Sequence, residues 1–314
     1  MEISRNKSGR TFPERLKREW TRNYMLYIMA FPVILYFLLF HYGPMYGVVM
    51  AFKDYRVGQG LWASEWVGLK HFSSFINGPY FFRTVRNTLA ISSLSILFGF
   101  PAPIILALLL NEVKFMPFKR TVQTITYLPH FISMVVMCGV IIDFFSRSGV
   151  ITQLLHRLLG LKARNLLLQP ELFRTIYIST DIWQGIGWGS IVYISAITAI
   201  DTEQYEAAVL DGANRFQQML HVTLPGILPT VVTLFLMRIG RIMSVGYEKI
   251  ILLYNPNTYE TADVISSFVY RYGLGSSHDY SFAAAVGLFS SLINLIILVS
   301  ANLISRKISE TSLF

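Results

Sequence analysis

Charge is what this sequence has least of: Asp, Glu, Lys and Arg supply 14% of its 314 residues, against 53% from the hydrophobic set. A soluble domain carries roughly 25% charge, and a mean hydropathy of +0.48 points instead to a membrane protein. There is one cysteine, Cys138, which excludes an intrachain disulfide and dithiol redox chemistry. The histidines, at 41, 71, 130, 156, 221 and 278, form no pair at helical ligand spacing, so no metal site is expected. No GxxxxGK[ST] loop occurs, so the chain supplies no nucleotide site of its own. Neither a GxSxG elbow nor an intramembrane His/Asp pair is present, which leaves a membrane-embedded enzyme without catalytic residues.

What is abundant is long charge-free sequence. Residues 24–52, 87–111, 121–142 and 281–305 contain no Asp, Glu, Lys or Arg, and each exceeds the roughly 20 residues that cross a bilayer as a helix. Two further stretches, about 175–200 and 226–245, are as apolar but carry Asp181 in one and Arg238 with Arg241 in the other. The expected fold is therefore an all-α integral membrane protein with six transmembrane helices. The first stretch is too long for a signal-peptide core and lacks a small-residue cleavage site, so it is expected to be retained.

Seven basic residues (Arg5, Lys7, Arg10, Arg15, Lys17, Arg18, Arg22) precede the first span against three Glu, which places the N-terminus in the cytoplasm; an even number of spans returns the C-terminus there. The formal net charge of +9 reads as this arm near anionic lipid, with nucleic acid excluded as a partner. The organisation is thus a basic cytoplasmic arm over 1–23, a transmembrane domain over 24–305 with a cytoplasmic loop at 201–225, and a short cytoplasmic tail over 306–314. Within the arm, Phe12, Leu16 and Trp20 at four-residue spacing fit a short helix on the inner membrane surface, or else a disordered basic tail. The glycines of QGIGWGS (184–190) would let another helix approach closely or would touch substrate.

The loop DTEQYEAAVLDGANRFQQMLHVTLPGILP reads as two short helices. Asp201 caps the first, with Gln204 completing a capping box, and Gly212 falls where a left-handed residue ends it. The second is expected to stop near Val222, at Leu224 and Pro225. Tyr205, Ala208 and Val209 share a face of the first, and Phe216, Met219 and Leu220 a face of the second. Two apolar faces on a cytoplasmic loop require a docking surface, either the chain's own helix ends or a partner.

This loop resembles the signature of membrane subunits of binding-protein-dependent ABC importers: Glu206, Ala207 and Ala208, three residues, Gly212, nine residues, an aliphatic Val222 where Ile is usual, then Leu224 and Pro225. YLPHFIS (127–133), DIWQGIGWGS (181–190) and YNPNTYETADVISSFVYRYGL (254–274) are similar to the LplB-like and alginate-type oligosaccharide permeases. The resemblance implies a type I importer permease in a bacterial cell membrane that pairs with a second, homologous permease. It also implies two ATPase subunits that bind ATP and Mg and seat the loop, Asp211 and Ala213 beside Gly212 included, and an extracellular solute-binding protein that delivers an oligosaccharide. This chain holds no cofactor in that scheme. An importer of amino acids, peptides or phosphate would share the loop; a channel or secondary transporter would show repeated halves, and the signature occurs once.

Charge inside a membrane costs about 2.5–3.5 kcal/mol per residue on insertion scales, so Asp181, Arg238 and Arg241 need partners or a polar pathway. Arg238 and Arg241, three apart, would share one helix face. An ion pair with Asp181, snorkelling, or a lining for sugar hydroxyls or a uronate carboxylate each fits. Trp183, Trp188 and Tyr247 would stack on sugar rings or sit in interfacial belts.

Overall fold

The computed structural model describes residues 12–160, 162–275 and 277–308, with side chains from 20 to 307. The calls on residues 1–11 and 309–314 lie outside the described residues. The first helix, α1 (Phe12–Phe37), bends at Asn23 (φ −120°, ψ 20°), which separates the basic amphipathic start from the apolar span. It continues as a π turn (Leu38–Tyr42) and a 3₁₀ helix (Gly43–Phe52), because Gly43–Pro44 interrupts the i→i−4 ladder. None of the most apolar window of this span is buried within the chain. Such a surface is untenable in water and suits hydrocarbon or neighbouring helices.

A short hairpin pairs β1 (Lys53–Asp54) antiparallel to β2 (Glu65–Trp66) and leads to α2 (Phe81–Leu94), a π turn (Ser95–Gly99) and α3 (Pro101–Glu112). The stretch expected to form one third span is instead two helices, α4 (Met116–Tyr127) and α5 (Met134–Phe145), with a 3₁₀ turn (Leu128–Phe131) between them. Pro129 cannot donate to the ladder, and Ser133 caps the new helix by accepting from the Val136 amide. α6 (Val150–Leu159) follows.

The longest unbroken helix at the centre is α7 (Pro170–Thr198), which packs against α3, α4 and α10 (Leu224–Ile239). Gly187 makes this possible: a Cβ there would lie 2.2 Å from the Thr126 carbonyl oxygen, so the glycine run serves helix packing at that point. The fifth expected span ends earlier than 245, since α10 stops at Ile239 with Gly240 as its cap and the chain turns through 240–244. Then come α11 (Tyr247–Leu253), α12 (Ile265–Gly273) and α13 (Tyr280–Ile308). The last helix thus runs past residue 305, carrying Arg306 and Lys307 in its final turn.

By length and composition five helical segments can cross a membrane, at 20–52, 81–112, 134–159, 215–239 and 280–307. α7, at 29 residues, is long enough and carries Glu171, Arg174 and Asp181. Two apolar clusters flank the middle of the molecule. One gathers Ile91, Met137, Ile141, Phe173, Ile176 and Ile250; the other gathers Ile104, Ala107, Tyr193, Ile197 and Ile227.

Candidate functional site

The signature loop begins with α8 (Thr202–Leu210). Asp201 caps it by accepting from the Glu203 amide at 3.0 Å. The expected box with Gln204 is not formed, because the short Asp side chain takes the nearer amide. The reciprocal box sits one helix later: the Gln217 amide donates to Asn214 Oδ1 at 3.0 Å and the Asn214 amide to Gln217 Oε1 at 2.8 Å, opening α9 (Arg215–Gln218). Gly212 has φ +78°, and with Gly212 N–H on Val209 O and Ala213 N–H on Ala208 O the end of α8 is a Schellman turn.

Leu224 and Pro225 do not stop the second helix. α9 passes through a π turn (Met219–Thr223) into α10 without a break. The extra residue of that turn admits Pro225 near the start of α10, where its missing donor is tolerated. Leu224 packs into the Ile104–Ile227 cluster. The Tyr205 hydroxyl meets Thr223 Oγ1 at 2.9 Å, so the Tyr205 side of α8 docks on the chain's own helix. The other sides stay uncovered: Leu210 is 88% and Phe216 66% exposed, with Val209 and Leu220 beside them. Between the two helices lies a cleft of about 570 Å³ lined by Ala207, Ala208, Asp211, Gly212, Ala213 and Gln217. Glu206 is exposed and, among the described residues, its side chain has no hydrogen bond or ion pair within the chain.

A second feature is a polar cavity of about 380 Å³ between α2, α7 and the 238–249 segment. Asp181 faces two cations there, Lys249 Nζ at 3.6 Å and Arg238 Nη2 at 3.9 Å. Arg238 also donates to Ser95 Oγ at 2.6 Å. Lys249, 2% exposed, donates to the Tyr177 carbonyl at 3.1 Å and lies over the Tyr177 ring. Arg241 and Tyr247 line the same cavity, but Arg241 does not share a helix face with Arg238, since the helix has already ended at Ile239. Trp183 and Trp188 are not in this lining. Trp183 borders a separate apolar cleft with Phe144 and Ile151, and Trp188 stacks on His130 at 4.5 Å. Trp183, two residues from Asp181, turns to another side of α7, whereas Trp188, seven residues on, keeps the Asp181 side but stands two turns along, about 10 Å away.

The profile described as "binding-protein-dependent transport system inner membrane component" matches residues 99–310. The chain belongs to that family. The permease is 43% identical over 294 residues to protein LplB of Bacillus subtilis (strain 168), covering 93% of this chain and 92% of that protein. It is 42% identical over 289 residues to the polygalacturonan/rhamnogalacturonan transport system permease protein YteP of the same organism, covering 92% and 90%. It also resembles a chain of the crystal structure of a bacterial alginate ABC transporter in complex with an alginate pentasaccharide-bound periplasmic protein, with a TM-score of 0.86, 46% identity, and coverage of 95% of this chain and 100% of that one. It is a non-catalytic, multi-pass component of the cell membrane.

Two groups of functional weight escaped sequence reasoning. Lys249 stands in a polar loop, where a lysine ordinarily reads as surface; only the flanking Ile250 and Leu253, both buried, signal an inward-facing helix. Asp263 is 0% exposed and pairs with Arg83 at 2.8 Å and Arg271 at 2.9 Å. Burial works against the Arg271 charge, but the hydrogen bonds and charge of Asp263 outweigh it and raise its proton affinity above the ordinary value. Asn87 adds bonds to the Glu260 and Asp263 carbonyls. Together these fasten the 254–274 segment to α2.

In a double-mutant cycle, Asp181→Ala and Lys249→Met are expected to couple by roughly 0.5–3 kcal/mol. Asp181→Ala alone leaves the buried ammonium with one carbonyl, and adding Lys249→Met restores part of the loss. Additive denaturation midpoints would show that the two charges do not support each other.

Proposed function

We propose that this permease forms half of the translocation pathway of an ATP-driven oligosaccharide importer and receives its drive through residues 201–225. It crosses the membrane six times with both ends in the cytoplasm. It works beside a second, homologous permease, two ATPase subunits that bind ATP and Mg, and an external binding protein. The observation that carries the reading is the loop: a left-handed Gly212 fixes two helices whose apolar outer sides are exposed and whose Glu206 has no hydrogen bond or ion pair among the described residues. An ATPase groove that accepts Val209, Leu210, Phe216 and Leu220 would bury that surface, and each such side chain contributes about 1.5–3 kcal/mol when fully covered. Leu224 and Pro225 then hand the motion to α10.

The sugar assignment is supported by the substrates named for YteP and for the alginate transporter, and by a cavity within the usual 300–1,000 Å³ range of small-molecule sites. Asp181, Arg238, Arg241 and Tyr247 are the residues placed to meet a sugar there. Trp183 and Trp188 belong to helix or lipid contacts. Uptake of labelled oligosaccharide into vesicles holding the full complex should require ATP and binding protein; uptake without either would overturn the importer reading.

The topology has its own test. Asn257 is exposed in the outer segment and the native Cys138 is 1% exposed, so Asn257→Cys gives a probe with little background. An impermeant maleimide should label it in intact cells. Labelling only after permeabilisation would reverse the orientation and remove the loop from the cytoplasm.

A further inference from the structure

Resting on the oligosaccharide reading, we propose that the cavity beside Asp181 selects acidic sugars, with the Arg241 guanidinium receiving a uronate carboxylate. The three cations of the lining are not equivalent. Lys249 and Arg238 share the single carboxylate of Asp181, and each has a further oxygen partner, the Tyr177 carbonyl and Ser95 Oγ. Arg241 has none of these. It is exposed in the turn after α10, and among the described residues its guanidinium makes no hydrogen bond or ion pair. That turn sets it at the junction of two spaces, the 380 Å³ cavity and a 340 Å³ cleft beside Gly189 and Tyr193.

The other acid of the lining, Glu248, forms no ion pair with Arg241. Three cations (Arg238, Arg241, Lys249) therefore face two carboxylates (Asp181, Glu248), so the lining carries one net positive charge, and Arg241 is the cation whose donors are uncommitted among the described residues. Neutral sugar hydroxyls are bound as well by amides and hydroxyls, which cost far less to place at membrane depth. A planar guanidinium with free donors instead matches a planar carboxylate through two parallel hydrogen bonds. Tyr247, stacked on Tyr270 at 5.5 Å, adds an aromatic face to the rim of the same cavity.

The test uses the complete complex, with sister permease, ATPases and binding protein, in vesicles. The probes are an alginate-type pentauronate and the same pentasaccharide after carboxyl reduction, each supplied at binding-protein saturation. The expected result is that Arg241→Gln lowers the acidic-to-reduced uptake ratio about tenfold and Arg241→Lys lowers it less. An unchanged ratio in Arg241→Gln overturns the proposal. So does uptake that follows the fraction of anionic lipid and not the probe's charge, because the guanidinium would then serve a lipid phosphate. Wild-type preference for the reduced probe overturns the acidic assignment and leaves the oligosaccharide reading standing; wild-type uptake of neither probe overturns both.

Discussion

Asp263→Ala should destabilise the folded permease by about 3–5 kcal/mol, the cost of removing one partner from a buried ion pair. The carboxylate is wholly buried, and its loss leaves the Arg83 and Arg271 guanidinium groups, each less than a third exposed, facing each other without an anion. Arg83 Nε already lacks a hydrogen-bond partner, so no nearby acceptor is spare to absorb the change. Ser267, which donates to Asp263 Oδ1 at 2.9 Å, falls back on the Val264 carbonyl at 3.0 Å. Asp263→Asn, which keeps an acceptor oxygen and drops the charge, should fall between. Denaturation midpoints of the purified complex measure both. A loss under about 1 kcal/mol for Asp263→Ala would mean that the 254–274 segment is held by its apolar contacts, such as Val264 and Ile265, and that the ionic triad adds nothing.

Gly212→Val acts on coupling and leaves assembly in the membrane intact. A Cβ at Gly212 would meet nothing within 4 Å, so the penalty comes from the backbone alone: φ +78° is strained for a β-branched residue by about 1–3 kcal/mol. The chain escapes that strain by opening the Schellman turn, which changes the angle between α8 and α9 and separates Leu210 from Phe216. In the proposed importer both fit one ATPase groove. Gly212→Val and Glu206→Lys should therefore reach the membrane but lose ATPase subunits on purification, or retain them while hydrolysis no longer responds to liganded binding protein. Gly212→Asn, which tolerates the left-handed region, should keep most of the coupling. Wild-type co-purification and stimulated hydrolysis in both Gly212→Val and Glu206→Lys would reduce the loop to a connector.

Local signals in the sequence were read well. Charge-free runs located the apolar helices, because hydrocarbon leaves few other options for backbone polar groups. Gly212 was legible as a left-handed stop; of the expected apolar faces, Val209, Phe216 and Leu220 are uncovered, whereas Tyr205 turns to the chain's own Thr223 and the most exposed residue of α8, Leu210, lay outside the expected face. Proline misled in both directions. Pro129 broke a span expected to be continuous, whereas Pro225 failed to break one expected to end, since a π turn relieved it. Nothing local distinguishes the two cases; what differs is whether a capping Ser133 or a widened turn lies beside the ring. The ionic pairs were legible only in part. Asp181 with Arg238 follows from the rule that intramembrane charges find partners, but Lys249 and the Asp263 triad join residues 68 and 180 positions apart, and no short-range pattern announces them.

The unbroken passage from α9 through α10 has a mechanical meaning. Arg215 at one end lies in the loop that meets the ATPase in the proposed importer, and Arg238 at the other touches Asp181 and Ser95 in the cavity. The two stand 23 residues apart on one helical segment, about 35 Å at 1.5 Å per residue. A lever of that length turns a tilt of about 5° at the loop into a sweep of about 3 Å at Arg238, comparable to the 2.6 and 3.9 Å separations that hold it. In the proposed importer, a rocking motion too small to unseat the loop from an ATPase groove is thus large enough to part Arg238 from both partners and to reset the charge that a sugar in the cavity would meet.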